Sequence, residues 1–223
     1  MESIVAKFVS NKDESVRLFS NPLLEYFSHI HPITPVVFYL PIIMYFGWRG
    51  VATTSVIMTL LFFVIGVFLW TILEYILHRF VFHYEPKTQW GKYIHFLSHG
   101  IHHDYPKDST RLVMPLLVSV PIGIVTFAVF YGVFGVNHSA AFAGIVFGYV
   151  SYDSIHYATH HFHLKGRIGK FLKTYHLRHH YSDDHSAYGV SNPLWDYVFQ
   201  TTPKRSDVPS GKGISETQDT VSP

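Results

Sequence analysis

Four apolar runs, at 33–48, 52–76, 112–134 and 139–157, alternate with stretches where the polar residues collect. A helix needs about 20 apolar residues to cross the hydrocarbon of a bilayer, at 1.5 Å of rise each. The pattern therefore predicts about four transmembrane helices. The first run, ITPVVFYLPIIMYFGW, is short and carries Pro35 and Pro41, which leaves a re-entrant path open beside a full crossing.

The polar stretches test that count independently, because Lys and Arg gather on the cytoplasmic side of membrane proteins. Of the 17 Lys and Arg, only Arg49 falls between runs one and two, and none falls in the 135–138 turn between runs three and four. The others precede run one (Lys7, Lys12, Arg17), separate runs two and three (Arg79, Lys87, Lys92, Lys107, Arg111) or follow run four. One face thus holds nearly every basic residue, and both termini are expected in the cytoplasm. The chain divides into a cytosolic N-terminal segment at 1–32, a membrane-embedded domain at 33–202, and a polar tail at 203–223 expected to be disordered. The first twenty residues lack the apolar run of a cleavable signal, so the whole chain reads as mature.

Composition narrows the chemistry. With 48% hydrophobic, 17% aromatic and 14% charged residues, the chain suits a membrane better than water. A net charge of +2 gives no reason to expect nucleic acid as a partner. Cysteine is absent, which excludes disulfides, Cys-ligated zinc and iron–sulfur clusters and leaves His and carboxylates to hold any metal.

The 17 histidines are the supply. Most fall in four groups: HRFVFH (His78, His83), HGIHH (His99, His102, His103), HYATHH (His156, His160, His161) and HLRHH (His176, His179, His180). All lie just beyond run two or run four, and two runs separated by one return crossing end on the same face, so the groups can meet. On a helix, offsets of three and four share one face, so the first His of His-x-x-His-His lies beside both others, and His156 lies over His160. Fifteen residues of separation recur between His83 and His99 and between His160 and His176, which predicts a parallel pseudo-repeat with a metal site between its halves. Ten imidazoles exceed one ion's capacity, since zinc takes four ligands and octahedral sites six; two ions with four or five each fit. His161 either joins them or hydrogen-bonds a neighbour. His29, His31, His95, His163 and His185 read as interface residues, and His138 sits in the opposite turn.

In that order the groups resemble the fatty acid hydroxylase and sterol desaturase superfamily. Within it, GIHHDYPKDSTRLVMP (100–115), YDSIHYATHH (152–161) and SNPLWDYVF (191–199) are similar to segments of fatty acid 2-hydroxylases. The resemblance implies an all-α polytopic membrane fold with a cytosolic helical cap, and a dimetal site of His78, His83, His99, His102, His103, His156, His160, His176, His179 and His180. Two iron ions are expected for activity, with zinc able to replace them, and O2 as co-substrate. Tyr152 and Asp153 become near-site residues; one turn before His156, Asp153 can accept a hydrogen bond from a ligand imidazole. Tyr152, Tyr157, Tyr188 and Arg178 are candidate contacts for the carboxyl or head group, although Arg178 points away from the ligand face.

Many eukaryotic 2-hydroxylases carry a fused cytochrome b5 domain with a His-Pro-Gly-Gly motif. The only His-Pro here is HPIT at 31–34, so electrons are expected from a separate electron-transfer protein. The implied reaction is hydroxylation at C2 of a long fatty acid or sphingolipid acyl chain. Competing readings are a sister oxidase (sterol methyl oxidase, desaturase or carotenoid hydroxylase), a metal transporter, and a structural zinc protein. Transport predicts polar ligands within the spans, whereas these groups crowd at one end. Without a C-terminal retrieval signal, a bacterial cytoplasmic membrane is favoured over endoplasmic reticulum.

Overall fold

A computed structural model describes residues 8–203, all of whose regular elements are helices. The tail expected to be disordered lies, from residue 204, outside the described residues. Short α1 (Pro22–Ser28) starts where the Asn21 side chain accepts from the Leu23 amide at 2.9 Å. α2 (Thr34–Thr53) is a continuous 20-residue helix, so the first run does not re-enter. Pro35 sits in its first turn, where a missing N–H costs nothing, and Pro41 is accommodated mid-helix. After a turn in which Ser55 caps the next helix, α3 (Val56–Ile76) follows and continues without a break into a π-helical segment, Leu77–Phe82.

The next helical run is composite: α4 (Gln89–His95), a second π-helical segment (Phe96–Gly100) and α5 (Ile101–Asp104). Leu116–His161 is then apolar and helical over 46 residues, about twice what one crossing needs. Gly135, at φ +53°, breaks it into α6 (Leu116–Phe134) and α7 (His138–His161). These fold back on each other: Phe127 meets Phe142 at 5.2 Å, while Tyr39 of α2 hydrogen-bonds Ser119 at 2.8 Å and packs on Tyr149 at 5.4 Å. Four long apolar helices result, and α3 and α7 end on the same side. α8 (Gly166–Tyr181) and α9 (Leu194–Val198) complete the chain.

α7 is the central helix. Its residues 139–146 are all buried, against α2, α3 and α6, while α2, α3 and α6 turn side chains such as Met44, Leu60, Ile124 and Val125 outward, as a lipid-facing surface requires. Small residues let α3 and α7 approach closely. A Cβ added at Gly144 would stand 2.0 Å from the Phe63 carbonyl oxygen, and one at Gly66 2.1 Å from that of Ala141. This is how helices associate where water does not drive them together.

Residues 8–30 run across the polar end of the bundle. Ser10 N–H donates to Asp104 O at 2.8 Å, Ser109 N–H to Asp13 at 3.0 Å, and Ile30 N–H to Thr110 O at 2.8 Å. Arg111 joins this segment to the cap through the Val16 carbonyl, Glu25 at 2.5 Å and His29 at 2.8 Å. Burial alone would raise the Glu25 pKa, but hydrogen bonds from Phe19, His29 and Leu18 and the Arg111 charge outweigh it and pull the group down to about 2.

Candidate metal centre

The helix ends bring ten histidines together in two groups of five. His78, His83, His99, His103 and His179 form the first, and His102, His156, His160, His176 and His180 the second; within each, one nitrogen per residue lies within 4.8 Å of all the others. All but His83 are buried.

Local winding explains the first group. On an α-helix residues five apart are about 140° out of register, so His78 and His83 would diverge. The π-helical segment corrects this: His83 N–H donates to His78 O at 3.2 Å, an i+5 bond. The two rings end 5.1 Å apart. In each His-x-x-His-His run, the first and last positions are about 40° apart around the helix and the middle one about 60° to the other side. First and last accordingly share a group, at Nε2–Nε2 distances of 3.0 Å for His99 and His103 and 3.1 Å for His176 and His180. The middle residues cross over. His102 meets His156 at 2.9 Å in the second group, and His179 meets His83 at 2.9 Å in the first.

These spacings suit metal. With metal–nitrogen bonds of about 2.1 Å, ligands at right angles stand about 3.0 Å apart and tetrahedral ones about 3.4 Å. The paired Nε2 atoms, at 2.8–3.1 Å, match right-angled coordination. The imidazoles are in the protonation state that ligation needs: burial, then neighbouring imidazoles, hold His99, His176 and His180 well below the ordinary value and bring His102 to about 3. Tautomers are set from outside. His78 Nδ1–H donates to Tyr188 O at 2.5 Å and His179 Nδ1–H to Ser186 O at 2.7 Å, so Nε2 faces inward in both.

The loop supplying those carbonyls is itself held by two buried carboxylates that sequence reasoning missed. Glu74, near the end of α3, accepts from the amides of Val190 and Ser191, both at 2.8 Å, and from the Ser191 hydroxyl. Asp196 accepts from the amides of Tyr188 at 2.9 Å and Gly189 at 2.8 Å; burial pushes its pKa up despite these bonds. Glu74 had a signal, since a carboxylate within a long apolar run is costly and calls for a partner.

Tyr152 is buried with its ring 5.6 Å from His156. Asp153 is buried too, but its Oδ2 has no hydrogen-bond partner and no described hydrogen bond joins its carboxyl to an imidazole. Tyr188 packs on His78, His83 and His179 at 5.5–5.7 Å. His161 lies outside both groups, stacked on Tyr157 at 4.2 Å, and Arg178 lies outside them as well. Of the histidines read as interface residues, His29 proves structural, contacting Thr110 at 2.8 Å as well as Arg111. A half-open apolar groove runs between α2, α3, α6 and α7 past Tyr39, Trp70, Leu77, Ser119, Phe142 and Tyr149. Of its lining residues Leu77 directly precedes His78 along the chain.

Residues 63–201 match the family model described as fatty acid hydroxylase. The chain belongs to the fatty acid hydroxylase family. It is 34% identical to a dihydroceramide fatty acyl 2-hydroxylase of Arabidopsis thaliana, covering 85% of this chain and 81% of that one. A fatty acid 2-hydroxylase of Rattus norvegicus is also 34% identical, over 86% of this chain and 58% of its own length. A ceramide very long chain fatty acid hydroxylase of Saccharomyces cerevisiae is 38% identical over 76% of this chain and 44% of its own. Among solved structures, full-length scs7p, with only its hydroxylase domain visible, superimposes with a TM-score of 0.79 at 35% identity, covering 83% of this chain and 71% of that one. This hydroxylase-family chain is thus a multi-pass membrane protein whose two histidine clusters fit a dimetal site.

Proposed function

We propose that this chain hydroxylates C2 of long-chain fatty acids or of fatty acyl chains in sphingolipids, using O2 and two electrons from a separate carrier protein. The observation carrying the reading is the pair of five-histidine clusters at the ends of the apolar helices, joined to the 2-hydroxylase names of its relatives. Two iron ions held there would supply the redox chemistry that turns R–H, O2, two electrons and two protons into R–OH and water.

The chain's own residues do the rest. The ten clustered histidines serve as ligands, with Tyr188 O and Ser186 O orienting His78 and His179. The groove takes the acyl tail, excludes water and leaves the carboxyl end near the clusters. Tyr152 supports the His156 ring, and Asp153, buried one turn before His156, acts as a positioning residue. The histidine end and both termini face the cytoplasm, by the distribution of basic residues, in a bacterial cytoplasmic membrane. A cysteine introduced at 137 should be labelled by impermeant reagents, while one at 90 or 170 should be spared.

Mass spectrometry of lipid extracts from cells expressing the chain tests the reaction. One added oxygen at C2 is expected. A double bond, a sterol product or a hydroxyl far from C2 would overturn the assignment.

A further inference from the structure

HLRHH places three histidines within about one turn of α8, and their outer nitrogens are not equally held. His179 Nδ1–H donates to Ser186 O at 2.7 Å, as His78 Nδ1–H does to Tyr188 O at 2.5 Å. Both carbonyls come from the loop whose amides the Glu74 and Asp196 carboxylates fix. His176 and His180 are buried like His179, but the Nδ1 of each has no partner among the described residues. Asp153, the buried carboxylate one turn before His156, reaches neither.

This difference follows the division into clusters. His78 and His179 belong to the first, His176 and His180 to the second. In the second, His176 Nε2 stands 2.8 Å from His160 Nε2 and 3.1 Å from His180 Nε2. Nε2 is therefore the nitrogen offered to an ion, and the proton of each neutral ring sits on Nδ1. A carbonyl that accepts this proton fixes the ring's orientation and makes the inward nitrogen more basic. The first cluster has such acceptors at two rings, and His78 Nε2 is left buried and unpartnered on the inner side, where an ion would complete it. The second cluster has two rings whose buried N–H finds no acceptor on the chain.

Solvent access works in the opposite direction. Among the ten, only His83 of the first cluster is not buried, so if exposure governed, the first cluster would lose its ion sooner. Magnitudes decide between the two effects. An outer partner of a ligand imidazole is typically worth about 10–100-fold in metal affinity, and the second cluster lacks two. His83 is only partly exposed, and its Nε2 stays 2.9 Å from His179 Nε2.

We propose that the two sites are unequal: the first cluster holds its ion firmly through rings locked by the 186–190 loop, and the second, with His176 and His180 unsupported on their outer edges, exchanges its ion with the surroundings. Asp196 is then a positioning residue for the first site alone. The inference rests on the dimetal reading and not on the reaction, and its test needs no turnover. The purified full chain in detergent would be loaded with zinc, which imidazole binds and which does no redox chemistry, then placed in excess EDTA, with protein-bound zinc followed by elemental analysis. Two phases of one ion each are expected, their rates differing by at least about tenfold. His179→Ala, keeping the second cluster, should show only the fast phase, and His102→Ala, keeping the first, only the slow one. Asp196→Asn, which retains all ten histidines, should speed the slow phase and leave the fast one unchanged. A single rate for both ions overturns the inference, as does the reverse assignment of phases to clusters or an equal effect of Asp196→Asn on both. A chain that takes up one ion refutes the dimetal reading; the inequality stands if His179→Ala abolishes that ion and falls if His102→Ala does.

Discussion

His102 and His179, the middle imidazoles of the two His-x-x-His-His runs, each sit in the cluster built by the other half of the chain, 2.9 Å from His156 and His83 respectively. Neither half therefore completes a cluster alone. The exchange cross-links α5 to α7 and α8, and it makes the two sites depend on a single docking of the halves.

The exchange makes a directional prediction for metal content. The wild-type protein, purified without chelators, should carry about two first-row ions per chain by elemental analysis, with five nitrogens available to each. His102→Ala should deplete the second cluster and His179→Ala the first, each lowering the content toward about one while the protein still inserts. A wild-type content of one ion or fewer would sink the dimetal reading.

Glu74 acts on the first cluster at a distance. Its carboxylate holds the Val190 and Ser191 amides, and the same loop presents Tyr188 O and Ser186 O to His78 and His179. Glu74→Ala orphans the buried Val190 amide, at roughly 1–3 kcal/mol, and the partly buried Ser191 amide at less. The expected result is a lower melting temperature in detergent together with loss of metal from the first cluster. Ser191→Ala, which removes only the hydroxyl contact, should do much less.

Acid should release the N-terminal segment. Glu25 ionises at about 2 in the folded chain against an ordinary 4.5. A depressed carboxyl contributes stability that is complete above the unfolded value and disappears as pH falls through the folded one. Thermal unfolding of wild type and Glu25→Gln should thus differ most at neutral pH, and the difference should shrink from about pH 4.5 downward until it vanishes near pH 2. A gap that is constant with pH would assign the effect to packing instead of charge.

Much of this protein could be read from its sequence, because the relevant information is periodic and local. A bilayer demands long apolar helices, so α2, α3, α6 and α7 showed themselves as runs whose ends fall within a few residues of the helices observed. The parity of crossings put all four histidine groups on one side, and the i, i+4 pairs His156 with His160, His99 with His103 and His176 with His180 share clusters, whereas His102 and His179, which the i, i+3 spacing also placed beside the first His of each run, join the opposite clusters. What tertiary structure alone decided is how those pairs meet. The π-helical winding that aligns His78 with His83 is not announced by any residue pattern. The crossing of His102 and His179 depends on the rotation of α5 and α8 relative to each other, which is set by contacts between the halves. The clamps at Glu74 and Asp196 join residues more than a hundred positions apart in one case and fold a loop back on itself in the other. Helical periodicity is written in neighbours along the chain, whereas the partner of a buried carboxylate or of a middle histidine is chosen only when distant segments pack and each buried polar group must find its complement.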